Sequence, residues 1–176
     1  MDINTECQLI GACVIAVQKV EFNLYGIASH LSHLPEAKER RFRELTPEQF
    51  LRGDPKELKA TLGQIEKTFG EKLSLSTDEL TDFIEQRNLI AHNYYRLTRK
   101  GIKGAKQLQD PEAFLRGFLV QCGYWEKVLY GLLSLMLIAT AKKQNRESEV
   151  KLNSDQLLAI DAYRAHVEKR LTNVSI

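Results

Sequence analysis

Apolar positions recur along this chain at helical intervals, and strand-like alternation of useful length is absent. From Ile3 the seam Ile3, Cys7, Ile10, Val14, Val17, Glu21, Leu24, Ala28, Leu31 advances by alternating steps of four and three. It predicts one long helix ending near His33, ahead of Pro35, with Glu21 as its only charged seam residue. The stretch from Glu36 to Arg43 is dense in both charges and reads as a solvated turn or exposed short helix. Asp54-Pro55, with Glu57 completing a capping pattern, opens a second helix that runs to about Phe69 and stops at Gly70. Ser76-Thr77-Asp78-Glu79 announces a third, continuing through Tyr95. Thr98 to Gln109 contains Gly101 and Gly104 and no acid before Asp110, and reads as a loop. Asp110-Pro111 opens a fourth helix reaching roughly Gln144, and Asn153 or Ser154 caps a fifth that ends near Leu171. The expected architecture is all-α, a helical bundle of four to five helices forming a single domain over residues 1–176.

A length of 176 residues suits one domain with a sizeable core, and 43% hydrophobic against 27% charged residues excludes a disordered chain. The longest uncharged apolar run, Val128 to Ala141, has 14 residues, short for a bilayer. The N-terminal MDINTEC carries acid where a signal peptide carries base. Cys7, Cys13 and Cys122 are odd in number and lack CxxC spacing, so neither a disulfide framework nor a zinc knuckle is indicated; small core residues are expected. A reducing, cytoplasmic setting without a membrane partner is the expectation. The net charge of +2 argues against coating nucleic acid by bulk electrostatics, yet that total is a cancellation. Arg96, Arg99, Lys100, Lys103 and Lys106 fall in one acid-free run, RLTRKGIKGAK, which is either a solvated loop or a grip on a nucleic-acid backbone.

On the third helix, Leu80, Phe83, Ile84, Ile90, Ala91 and Tyr94 form an apolar face, and heptad spacing puts Arg87 in its middle. A buried guanidinium there needs a carboxylate, a phosphate or water to receive it. Asn88 and His92, four apart, share a face, whereas five residues at helical pitch set Arg87 and His92 about 140° apart. Those two converge only at a helix edge, a bend or a symmetric interface.

The run Arg87-Asn88-Leu89-Ile90-Ala91-His92-Asn93-Tyr94 resembles the Arg-x4-His motif of the HEPN superfamily, in the Arg-x4-His-x-Tyr form of HEPN toxins paired with minimal nucleotidyltransferase antitoxins. The resemblance covers roughly residues 3 to 145; residues 34–53 and the fifth helix, about 154–171, exceed the compact version of that fold. It implies a HEPN-like homodimer acting as a metal-independent endoribonuclease without a cofactor, as a toxin or phage-defence component. RNA supplies its own nucleophile, the 2′-hydroxyl, so the protein need only move protons and stabilise charge. Imidazole can deprotonate that hydroxyl or protonate the leaving 5′-oxygen, and a guanidinium can pair with the non-bridging oxygens. The products would be a 2′,3′-cyclic phosphate and a 5′-hydroxyl. Arg87 is then the phosphate ligand, His92 the proton carrier and Asn88 a positioning group. By resemblance, Tyr94 is the hydroxyl to which a cognate antitoxin attaches AMP, and Tyr95 with Tyr94 could stack on bases.

Structural readings stand beside these. Arg87 could serve only as half of an ion pair with Glu21, a pairing that would equally orient a catalytic Arg. His92 near a helix end could be a cap favoured by the dipole. A non-catalytic HEPN bundle that binds nucleotide or a partner protein is the alternative function. His30 and His33 lie on one helix with Glu36 nearby, but no further ligand is evident and no metal site is expected. The fourth helix is apolar on more than one face and is read as a core helix that also feeds the dimer interface, with Gly117, Gly123 and Gly131 permitting close approach.

Overall fold

The computed structural model describes residues 1–31, 67–71, 73–75, 78–99 and 107–174, and among these it is helical with no strand. The helices are α1 (Ile3–Leu31), α2 (Asp78–Asn88), α3 (Tyr94–Thr98), α4 (Pro111–Lys143) and α5 (Ser154–Val174). The all-α expectation holds. The expected second helix lies outside the described residues except for its end: residues 67–69 are helical and Gly70 is in a turn. The segment 34–53 and His33 also lie outside them.

Local chemistry sets the starts. Asp2 Oδ1 accepts from the backbone N–H of Asn4 (2.9 Å) and Thr5 (3.0 Å), capping α1. Asp110 accepts from Ala113 N at 2.9 Å with Pro111 directly after it. At α5 the cap is Asn153: its side chain accepts from Gln156 N at 2.8 Å while Gln156 Oε1 accepts from Asn153 N at 3.0 Å. That helix extends to Val174, three residues past the expected Leu171.

Helix α4 is the centre of the bundle, packed by α1 on one side and α5 on the other. Phe83 of α2 stacks on Phe118 (centroids 5.1 Å, 11° between planes) and meets Trp125 at 6.4 Å, so an aromatic column joins α2 to α4. Gly131 is where α5 comes closest: a Cβ there would collide with Ala159 O and sit 2.9 Å from Ile160 N. Gly117 and Gly123 have nothing within 4 Å of a would-be Cβ, so the expected close approach occurs at one glycine of the three.

The α1 seam is offset by one position in its first half. The buried row is Glu6, Leu9, Cys13, Val17, Val20, Leu24 and Ile27, while Ile3 and Val14 are 63% and 44% exposed and Cys7 is exposed. This half of α1 is apolar on two sides, so both rows satisfy helical spacing and packing on α4 selects between them. Cys13 and Cys122 are core residues as expected, and burial pushes their thiols up to about 11 and about 12; Cys7 is not one. By length and composition α1 is also apolar enough to cross a membrane. Glu6, Lys19 and Glu21 interrupt it, so it contains no uncharged run as long as Val128 to Ala141.

His166 of α5 is buried (4% exposed) and bridges two segments. Its Nε2 lies 3.0 Å from Ser74 O, which can only accept, so Nε2 carries the proton; Nδ1 then accepts from the Tyr124 hydroxyl at 2.7 Å. Burial holds the His166 pKa below its ordinary 6.5. Below pH 6.5 the unfolded chain therefore takes up a proton that the native state refuses. The stability linked to this residue is complete above that pH and is lost as pH falls towards the lower native value. Melting temperatures between about pH 7 and 5.5 should decline on the acid side, and His166→Gln should flatten that slope while lowering the whole curve.

Candidate functional site

The Arg-x4-His run is not one continuous α-helix. Helix α2 ends at Asn88, a π-helical turn occupies Leu89–Asn93, and α3 resumes at Tyr94. Asn93 absorbs the change at φ −126° and ψ −4°. A π turn inserts one extra residue into the ladder, and Ile90 within it and Tyr94 just after it are both buried. The 140° separation expected for Arg87 and His92 presumed an unbroken helix, and the turn between them removes that premise.

Arg87 sits at the rim of the core, its side chain 30% exposed. Its Nε and Nη2 both donate to Glu21 Oε1, at 3.1 and 2.6 Å, and Nη1 donates to Asn88 Oδ1 at 3.1 Å. The expected partnership with Glu21 is therefore present. A guanidinium has five N–H donors; three are engaged among the described residues, and the two on the Nη atoms remain. Partial exposure screens this pair, so its net worth to stability is about 1 kcal/mol. Between α1 and the motif lies a notch of about 140 Å³, lined in part by Val14, Gln18, Glu21, Arg87 and Ala91. Ala91, placed on the apolar face by spacing, is exposed, as are Asn88 and His92.

Tyr94 and Tyr95 part company. Tyr95 is 69% exposed, whereas Tyr94 is 6% exposed. The Tyr94 hydroxyl is enclosed beside the Glu6 carboxylate, with no hydrogen bond of good geometry; burial, then that carboxylate's charge and contact, push its pKa up to about 12. The hydroxyl that the resemblance assigns to AMP is thus enclosed in this arrangement. Because the contact of this hydroxyl with Glu6 is poorly aligned, Tyr94→Phe should change stability by less than about 1 kcal/mol in urea unfolding. Tyr163→Phe, which removes a donor to Leu73 O at 3.0 Å, should instead cost about 1 kcal/mol.

Spacing missed Glu6. It is 7% exposed and accepts from Arg99 Nη2 at 3.2 Å, and the Arg99 guanidinium also lies 5.5 Å from the Tyr95 ring centroid. Arg99, expected among the RNA-binding cations, is held by Glu6. Leu108 N donates to Leu97 O at 3.0 Å. Arg96 is exposed; Lys100, Lys103 and Lys106 lie outside the described residues. The signal for Glu6 was present one position before Cys7, in the alternative α1 row that begins with it. Among the described residues no group of three His, Cys, Asp or Glu could hold a metal ion, while His33 and Glu36 lie outside them.

No family model, no curated protein and no solved structure matches this chain.

Proposed function

We propose that this chain is a metal-independent endoribonuclease of HEPN type, working as a homodimer in which two copies of the motif face one RNA backbone. One observation carries the reading. Arg87, aimed by Glu21 and Asn88 and retaining two free N–H donors among the described residues, lies one π-helical turn from an exposed His92. π turns in α-helices occur frequently at functional sites. The guanidinium receives the scissile phosphate, and Glu21 holds it against rotation. His92 of one subunit takes the 2′-hydroxyl proton, and the second His92 protonates the departing 5′-oxygen. Attack of the 2′-oxygen on phosphorus breaks the bond to the 5′-oxygen, so no water or metal enters the cleavage step.

Support for the dimer comes from α1. Ile3, Val14, Ile15 and Phe22 are large apolar side chains, each 44% or more exposed, and Val14 also lines the notch at Arg87. A second copy seated there would bring its own motif towards the first. Growth inhibition and a nucleotidyltransferase partner rest on the resemblance, and AMP transfer to Tyr94 requires the turn to open first. The second reading is a non-catalytic HEPN module, favoured by the three Arg87 donors already satisfied within the chain. The test is cleavage of end-labelled RNA by the purified protein in EDTA. The wild type should cut, and cutting that survives in both Arg87→Ala and His92→Ala proteins would remove the catalytic assignment.

A further inference from the structure

A second concavity, of about 420 Å³, lies between α2, α4 and α5, and its walls include Asp82, Gln86, Val120, Gln121, Tyr124 and Lys169. That volume falls in the range of small-molecule sites. We propose that this cleft binds a small organic cation, a primary ammonium or guanidinium on a short apolar stem, received by the Asp82 carboxylate and the Tyr124 oxygen. The site is separate from the proposed RNA chemistry.

The hydrogen-bond polarity of the walls selects the ligand. Ser74 O accepts from His166 Nε2 at 3.0 Å, which leaves His166 Nδ1 as an acceptor. The Tyr124 hydroxyl must therefore spend its proton on Nδ1, at 2.7 Å, and what it offers the cleft is lone pairs. One N–H of the Lys169 ammonium is engaged by Glu79 Oε1 at 2.5 Å, and its charge is paired with that carboxylate while two N–H donors remain. Gln121 Nε2 donates to Gln86 Oε1 at 3.3 Å, and the rest of that amide pair presents both polarities and favours neither sign. Asp82 accepts no hydrogen bond among the described residues. Glu79, Asp82 and Lys169 together leave one negative charge in excess, so the matching ligand is a donor carrying a positive charge. Val120, 74% exposed, and the Tyr124 ring supply an apolar wall for its stem. An anion would find Lys169 already paired with Glu79 and would meet Asp82 and the Tyr124 lone pairs with repulsion.

Isothermal titration of the full chain with n-butylammonium and n-butylguanidinium, each against neutral 1-pentanol and anionic n-butyrate, tests this. Saturable binding of a cation with a Kd on the order of 1 mM is expected, with neither control competing. Asp82→Asn, isosteric and at an exposed position, should keep the fold and weaken the cation by about tenfold. Tyr124→Phe should weaken it by a smaller factor. No saturable binding of either cation, equal binding of 1-pentanol, or an Asp82→Asn affinity equal to that of the wild type would each overturn the proposal.

Discussion

Replacing His92 by Ala should lower RNA cleavage by about 10²–10⁴-fold, the usual worth of a positioned acid or base, with folding stability changed by no more than about 0.5 kcal/mol. The two expectations belong together because His92 is exposed on its π turn, so a structural role would show as lost stability instead. Arg87→Ala should also reduce cleavage by about 10²–10³-fold, but it leaves the Glu21 carboxylate, 19% exposed, without its partner and should destabilise the fold as well. Arg87→Lys separates the two effects. It keeps the charge near Glu21 yet loses the planar fork that reaches Glu21, Asn88 and a phosphate together, so stability should recover further than activity. Cleavage rates read beside urea unfolding curves check all three.

Gly131→Ala should be the most disruptive small substitution in the described fold, costing about 3 kcal/mol or more. The added carbon would collide with Ala159 O and lie 2.5 Å from Ala159 C, and backbone cannot step aside as a flexible side chain does. Relief requires α5 to move off α4, which would loosen Ala159, Ile160 and the His166 bridge together. Gly117→Ala and Gly123→Ala meet open space and replace Gly with a better helix former, so each should be neutral or stabilising by up to about 1 kcal/mol. Thermal unfolding of the three variants measures the contrast directly.

How much of this could be read from residues alone varied with how local the cause was. Asp110-Pro111 and Asn153 named their helix starts because a cap depends on a few neighbouring atoms. Glu21 was legible as the partner of Arg87 because each was a lone charge on an apolar stripe. The row of α1 that is buried was not legible, since Ile3, Val14 and Ile15 make the opposite side apolar too. The π turn lay beyond reach for another reason. No residue in Leu89–Asn93 demands it, and Ile90 and Tyr94, four apart, would pack on one face of an unbroken helix too. The same packing encloses the Tyr94 hydroxyl and leaves Tyr95 outside, a distinction that two adjacent tyrosines do not announce. Arg99 illustrates the limit of counting charges: its position in a basic run suggested phosphate, while its side chain is held by Glu6.

The central claim is that the 2′-hydroxyl of RNA is the nucleophile. An oligoribonucleotide cut by the protein in EDTA should end in a 2′,3′-cyclic phosphate and a 5′-hydroxyl. The same oligonucleotide carrying a single 2′-deoxy residue immediately 5′ of the cut should stay intact there. Continued cleavage at the 2′-deoxy position, or products bearing a 5′-phosphate and a 3′-hydroxyl, would contradict the account.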